Sequence, residues 1–146
     1  MPTPIPPVLR SYIEGLKAHD VDRIAETVSD DLAFVSAHRT LTKPEFLRML
    51  TALYTGFPDW TYDHDPVEVH ADRYAVKWRQ SGTHTGLFAM PGMAPVGPTG
   101  RKVIIPEHYF YYRVVGDKIV MIQPEVVPGG APRGILEQIG VELPPL

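Results

Sequence analysis

The sequence predicts an α+β fold in which helices at the start of the chain pack on an antiparallel sheet formed by later strands. Apolar residues recur at helical spacing as far as Tyr54, and from Trp60 onwards they alternate with a period of two. Because the helices precede the strands instead of alternating with them, a parallel sheet is not expected. The length of 146 residues, 44% of them apolar, predicts a single globular domain over residues 1–146.

Three helices are predicted before the main sheet. The first carries apolar residues from Val8 to Leu16 at helical spacing, and the second follows Asp20, a residue type suited to a helix N-cap. The third begins at the segment TKPE, residues 42–45, which has the pattern of a capping box with a proline in the first turn. A short strand is expected between the second and third helices, at residues 30–38.

Strand periodicity then recurs in four segments, at residues 60–70, 73–84, 101–114 and 117–123. The segment between the second and third of these, residues 85–100, is rich in glycine and proline and contains Met90 and Met93. Such a loop is either a lid over an apolar ligand or a simple excursion of the chain. Apolar residues from Ile135 to Ile139 predict a short final helix.

The composition excludes several classes of function. The net charge is −3 with acids and bases interspersed, so the sequence predicts neither nucleic-acid binding nor membrane binding. The absence of cysteine excludes disulfides, thiolate nucleophiles and cysteine-bound zinc. The six histidines form no His-x-x-x-His or Glu-x-x-His pair, so no metal site is predicted. The start of the chain lacks the apolar run of a signal peptide, and a cytoplasmic protein is therefore expected.

Five short motifs follow one another along the chain. They are FPDW (57–60), GTHTG (82–86), PTGRKV (98–103), YYRVVGDKIV (111–120) and ILEQIG (135–140). In this order, and over about residues 8–140, the chain resembles the SnoaL-like polyketide cyclases of the NTF2-like superfamily. The resemblance implies a cone, in which the N-terminal helices close the concave face of a strongly curved antiparallel sheet to form a pocket. It also implies dimers through the outer face of the sheet, and chemistry that needs no metal or organic cofactor.

Strand alternation predicts which side chains face the pocket. Lys77 and Arg79 are expected to face water, which turns their neighbours in the same strand inward. In the preceding strand Asp63 and Asp65 are likewise expected to face water, so the residues next to them face the pocket. The predicted substrate-binding residues are Trp60, Tyr62, His64, Trp78, Gln80, His84, Phe110, Tyr112 and Gln123. For the aromatic members of this set, ordinary core packing is the alternative interpretation.

The segment VVGDKIV predicts a hairpin with its turn at residues 116–117. Counting outward from this turn pairs Phe110 with Gln123 and His108 with Glu125. Directly opposed side chains on one face have Cβ atoms about 4.5–5.5 Å apart, so His108 and Glu125 are predicted to touch. Such a pair serves general acid–base catalysis, in which the carboxylate orients the imidazole, or it is only a cross-strand ion pair.

The other face of this hairpin is predicted to collect Tyr109, Tyr111, Val120 and Ile122, a set apolar enough for a homodimer interface. At the end of the hairpin the chain departs from the family. The family's acid there follows a tryptophan, whereas the corresponding places here hold Gln123, Pro124 and Val127. No family carboxylate is therefore carried over, and Glu125 is the nearest acid.

Members of the family that this chain resembles include ester cyclases, epoxide hydrolases, isomerases, dehydratases and simple binding proteins. The first hypothesis is an enzyme that performs proton transfer on a small, largely apolar carbonyl or polycyclic substrate, with His108 as acid or base. Glu125 would orient His108, and Gln123, Gln80 and Tyr62 would polarise the substrate. The second is a non-catalytic module for a hydrophobic ligand or for dimerisation. Epoxide hydrolysis by an Asp-Arg-Asp arrangement is a weaker alternative, since no inward Arg or Asp is predicted.

Overall fold

The computed structural model describes residues 5–36, 39–90, 93–130 and 133–141 of the chain. In chain order the elements are α1 (Pro7–Ala18), α2 (Val21–Thr27), β1 (Val28–Val35), β2 (Thr40–Leu41), α3 (Lys43–Gly56), β3 (Thr61–His64), β4 (Glu68–His70), β5 (Arg73–Thr83), β6 (Lys102–Val115), β7 (Lys118–Pro124) and α4 (Arg133–Gln138). The predicted order of helices before strands is confirmed, although the segment from 60 to 70 forms two strands instead of one. No helix in the described ranges is long and apolar enough to span a membrane.

The helix boundaries follow the capping residues that the sequence offers. Asp20 caps α2 by accepting a hydrogen bond from the backbone N–H of Arg23. Thr42 and Glu45 form both halves of the predicted capping box at the start of α3. At the end of α1, His19 adopts a left-handed conformation with φ 54°, which stops the helix and turns the chain toward α2.

The strands form one curved, open sheet in the order β2-β1-β7-β6-β5-β3, and β4 also pairs with β5. All pairs are antiparallel except β1 with β7, which run parallel and so differ from the expected antiparallel sheet. These two strands are far apart in the chain, so no hairpin dictates their relative direction. The helices α1 and α3 cover the concave face, which we call the inner face. The opposite, convex face is called the outer face.

Two irregularities in pairing bend the long strand β6. Between β5 and β6 the register shifts after Trp78, and between β6 and β7 it shifts where Val114 pairs with Ile119 but Arg113 pairs with Met121. Val120 is therefore the extra residue of a β-bulge. Every pair beyond it is displaced by one residue relative to a simple count from the turn.

The bulge overturns the predicted register. Phe110 pairs with Pro124 instead of Gln123, and the backbone N–H of Glu125 donates to the carbonyl oxygen of Tyr109 at 2.8 Å. Glu125 thus lies opposite Tyr109 rather than His108. Because successive side chains point to opposite faces, a shift of one residue moves Gln123 and Glu125 from the inner to the outer face.

The core consists of two apolar clusters beneath the inner face. The larger one joins α1, α2, β1 and α3 to the strands through residues such as Leu9, Phe46 and Ile122. The smaller one contains Phe57 and Phe88 together with apolar residues of α4 and of the first part of β6. The pocket described below lies where the two clusters meet, because its wall draws residues from both.

The start of the loop after β5 is clamped to the end of α3. The backbone N–H groups of Thr85 and Gly86 both donate to the carbonyl oxygen of Gly56, at 3.2 and 3.0 Å. A Cβ atom at Gly86 would lie 2.1 Å from the carbonyl oxygen of Thr55, so only glycine allows this approach. Further along, Phe88 and Val96 exchange two backbone hydrogen bonds, which folds the loop back on itself.

We expect Gly86→Ala to lower the free energy of unfolding by about 1–3 kcal/mol, since the added methyl group must push two backbone segments apart. Gly97→Ala is the matched control in the same loop, because a Cβ atom there meets nothing within 4 Å. Urea unfolding followed by tryptophan fluorescence measures both. Equal stability of the two variants would contradict the clamp.

Candidate functional site

A mostly apolar pocket of about 80 Å³ lies between the helices and the inner face of the sheet. The helices α1 and α3 contribute Tyr12, Leu16, Phe46 and Leu50, and the loop after β5 contributes Phe88 and Met90. From the sheet come Tyr62, Trp78, Gln80, Phe110, Tyr112 and Pro124. The only polar atoms that these residues bring are the phenol hydroxyls, the indole N–H and one amide.

Five of the predicted binding residues line this pocket, namely Tyr62, Trp78, Gln80, Phe110 and Tyr112. The other four, Trp60, His64, His84 and Gln123, lie outside its lining. The helices were expected to close the pocket, but none of their residues was predicted to line it, because aromatic and aliphatic residues at helical spacing are typical of an ordinary core. The one signal was Tyr12, which places a hydroxyl in an otherwise aliphatic stripe.

Phenol hydroxyls of the pocket are hydrogen-bonded in pairs with neighbouring side chains. The indole N–H of Trp78 donates to the hydroxyl oxygen of Tyr112 at 2.9 Å, and the hydroxyl groups of Tyr54 and Tyr62 lie 2.8 Å apart. The ring of Tyr12 meets that of Tyr112 edge-on, with centroids 5.5 Å apart. Burial holds the pKa of the Tyr12, Tyr62 and Tyr112 hydroxyls above their usual range. These phenols therefore remain neutral hydrogen-bond donors at physiological pH.

Trp60 lies outside the lining but contacts a residue that belongs to it. Its indole N–H donates to the side-chain oxygen of Gln80 at 3.2 Å. Gln80 is also the direct cross-strand partner of Tyr62, so these two polar side chains share one side of the pocket.

His84 is fully buried, but it packs against the smaller core cluster and does not line the pocket. Its ring stacks on Phe57 with centroids 5.2 Å apart, and its Nδ1 accepts a hydrogen bond from the backbone N–H of Thr99 at 3.2 Å. Neutral His84 then carries its proton on Nε2, which has no hydrogen-bond partner among the described residues. The contacts tie the end of β5 to the returning end of the loop.

His64 and His108 flank Trp78 on the inner face, since each is its direct partner in a neighbouring strand. The Nδ1 atoms of the two histidines lie 2.7 Å from the carbonyl oxygens of Asp65 and Pro106, respectively. A carbonyl only accepts, so Nδ1 carries the proton and Nε2 is left as the basic nitrogen of each neutral ring. His108 is buried, and its ring lies 5.1 Å from that of the pocket residue Phe110.

The predicted pair of His108 and Glu125 is wrong. The carboxylate of Glu125 accepts a hydrogen bond from the backbone N–H of Tyr109 at 3.2 Å, on the outer side of the sheet. Gln123 pairs with Tyr111 and shares the outer face with it. The bulge at Val120 is the cause, and in place of these two residues it turns Pro124 into the pocket.

The outer face is more polar than predicted. Ile122 was assigned to it but is fully buried on the inner face, again because of the bulge. The hydroxyl of Tyr109 donates to Glu68 at 2.7 Å, which raises the pKa of Tyr109 to about 12, and Arg73 lies over the ring of Tyr111. Ion pairs join Arg79 to Asp63, Asp65 and Glu107. A homodimer through this face stays a prediction.

A wider, open groove of about 550 Å³ lies elsewhere, between α2, the start of β1 and the start of α3. Its two lysines are already engaged, since Lys43 donates to the carbonyl oxygen of Val28 and Lys118 donates to that of Glu26. The smaller pocket on the inner face is therefore the better candidate for a ligand site.

Comparison with known proteins agrees with this architecture. The model of the SnoaL-like polyketide cyclase family matches residues 7–123, well over half of the chain. The chain belongs to the SnoaL-like polyketide cyclase family. A search among curated proteins found no match.

Solved structures with the same fold include AclR, a candidate hydroxylase from Streptomyces galilaeus, with a TM-score of 0.72, 21% identity, and coverage of 95% of this chain and 82% of that one. A candidate SnoaL-like polyketide cyclase from Jannaschia sp. CCS1 has a TM-score of 0.70 and 16% identity, and the match covers 98% of this chain and 99% of that one. IdmH, a candidate polyketide cyclase from Streptomyces antibioticus, has a TM-score of 0.67 and 19% identity, and the match covers 92% of this chain and 96% of that one. These likenesses confirm the predicted NTF2-like fold.

This SnoaL-like chain thus combines the family's fold with an uncharged pocket. No described residue of its lining is a carboxylic acid or a histidine. The chemistry of the site is that of neutral hydrogen-bond donors in an apolar wall, with His108 packed beside the wall residue Phe110 on the same face of β6.

Raising the pH above 10 is expected to destabilise this SnoaL-like protein through the buried phenols. Their folded pKa lies above the ordinary value of 10.0, so their contribution is complete below pH 10 and is lost as the pH rises further. Each phenol should lower the free energy of unfolding by about 1.4 kcal/mol per pH unit in that range. Urea unfolding between pH 8 and 11.5 measures the slope, and Tyr112→Phe should make it shallower. An unchanged slope in that variant would refute the assignment.

Proposed function

We propose that this protein is a cyclase-type enzyme that binds a small, largely apolar carbonyl compound and stabilises the enolate formed from it. The observation that carries the proposal is the convergence of neutral donors on one apolar pocket. The hydroxyl groups of Tyr62 and Tyr112 and the amide of Gln80 supply these donors. Membership of the polyketide cyclase family supports the same class of reaction.

Neutral donors suit a carbonyl group whose oxygen becomes negative during the reaction. In a pocket that excludes water, such donors stabilise the developing charge far more than they do in bulk solvent. Because burial keeps the phenols protonated, they remain available as donors over the whole neutral range of pH.

Proton transfer is assigned to His108. The carbonyl oxygen of Pro106, in the role first assigned to Glu125, accepts from Nδ1–H and leaves Nε2 as the basic nitrogen. The ring packs against Phe110 and lies opposite Trp78, two residues of the pocket wall. His108 does not line the pocket itself, so a bound substrate carbon acid would have to reach Nε2 past these two side chains.

The size of the pocket favours a compound of one ring. Its volume of about 80 Å³ is well below the ~300–1,000 Å³ that is usual for drug-sized ligands. A polycyclic substrate would require the wall to open. Met90 is the wall residue best suited to such a movement, since its side chain is half-buried and flexible, whereas Phe88 is held by two backbone hydrogen bonds.

Exchange of the α-protons of cyclohexanone in D₂O, followed by NMR, tests this function without knowledge of the natural substrate. The wild-type protein should accelerate the exchange. His108→Gln should lower the acceleration by about 10²-fold or more, and Tyr112→Phe by about tenfold or more, because each removes a group that acts in the transition state.

Glu125→Gln is the matched control, since Glu125 faces away from the pocket, and its exchange rate should equal that of the wild type. Full acceleration in both His108→Gln and Tyr112→Phe would refute the proposal.

A second candidate function is ligand binding without catalysis. It is favoured by the lack of a carboxylate or imidazole among the described lining residues. Quenching of tryptophan fluorescence by cyclohexanone, with no acceleration of α-proton exchange, would support this alternative over the enzyme.

A further inference from the structure

The hydrogen bond between Trp60 and Gln80 determines how the amide of Gln80 is oriented. An indole N–H can only donate, so the atom 3.2 Å from it must be the amide oxygen of Gln80. The amide nitrogen consequently points away from Trp60. Gln80 lines the pocket and Trp60 does not, so an NH₂ group turned away from Trp60 is available to the pocket.

Trp60 is held firmly enough to act as this anchor. Its side chain is buried, and its ring packs edge-on against Phe57 with centroids 5.4 Å apart. Its carbonyl oxygen accepts a hydrogen bond from Nε2 of His19 at 2.6 Å. A Cβ atom at Gly82 would lie 2.6 Å from the indole ring, so the first glycine of the GTHTG motif provides the space that the ring occupies.

The amide nitrogen of Gln80 has no acceptor within the described part of the chain. None of the neighbouring polar groups that the structure describes accepts a hydrogen bond from this nitrogen. The indole N–H of Trp78 is committed to Tyr112, and the hydroxyl groups of Tyr54 and Tyr62 bond to each other. Gln80 therefore presents two unused N–H bonds to whatever fills the pocket.

We infer that Trp60 is a positioning residue that locks the Gln80 amide with its donor inward, and that Gln80 thereby selects ligands that carry a hydrogen-bond acceptor. This inference rests on the proposed function of the pocket and narrows its substrate class. A carbonyl or enolate oxygen satisfies the locked amide. A ligand without an acceptor leaves the amide unpaired, and an unpaired polar group in a buried site is costly.

Three ligands of nearly the same shape separate the selection of an acceptor from general affinity. Cyclohexanone offers only an acceptor, methylenecyclohexane replaces the oxygen by a CH₂ group, and cyclohexanol adds a donor. Their dissociation constants are measured by isothermal titration calorimetry, which does not depend on quenching by the ligand or on the two tryptophans. The informative quantity is the ratio of two constants in one protein, compared between variants, because hydration of the free ligands cancels in that comparison.

Gln80→Met keeps the volume of the side chain and removes its donors. The preference for cyclohexanone over methylenecyclohexane should fall by about tenfold relative to the wild type, while methylenecyclohexane binds as before. Trp60→Phe keeps Gln80 but frees its amide to turn over. In that variant the ratio of cyclohexanone to cyclohexanol affinity should fall several-fold, a change that a purely structural role of Trp60 would not produce.

The outcomes distinguish this inference from the proposed function. A wild-type protein that binds none of the three ligands overturns both. Binding by the wild type, with all three affinities reduced by one common factor in Gln80→Met and Trp60→Phe, overturns only the role of the locked amide. Lower stability of Trp60→Phe does not affect the conclusion, because a smaller folded fraction weakens both affinities equally and cancels from their ratio.

Discussion

The bulge at Val120 is the constraint on which the arrangement of the site depends. Without the extra residue, the end of β7 would place Gln123 on the inner face and Pro124 on the outer face. With it, the pocket receives a proline ring and Ile122 enters the core, while Glu125 joins the outer face. One inserted position in β7 therefore converts a wall that could have held a carboxylate into an apolar one.

Much of the fold follows from local signals in the sequence. The capping box at Thr42, the N-cap at Asp20 and the hairpin turn before Lys118 all act within a few residues, so a pattern reveals them. The bulge has no such signal, because Ile119, Val120 and Met121 are all apolar and any register buries one of them. The helical residues that line the pocket were also missed, since a stripe that lines a cavity and a stripe that fills a core have the same composition.

The two faces of the sheet use polar groups in opposite ways. On the outer face, Arg79 and its three carboxylate partners form ion pairs that remain accessible to water. On the inner face, phenols, indoles and one amide are paired with one another and carry no charge. The family resemblance implied an acid near the end of β7, but this chain relies on backbone carbonyl groups to orient its histidines. The fold is that of the family, and the described lining of the pocket carries no acid.

The uncharged wall has a consequence for the conditions under which the protein can work. Surface ion pairs weaken as ionic strength rises, because mobile counterions screen charges that are exposed to water. A neutral ligand held by phenols and by the Gln80 amide, as proposed, would present no net charge to screen. Salt would therefore loosen the outer face of this sheet without altering ligand binding at the inner face.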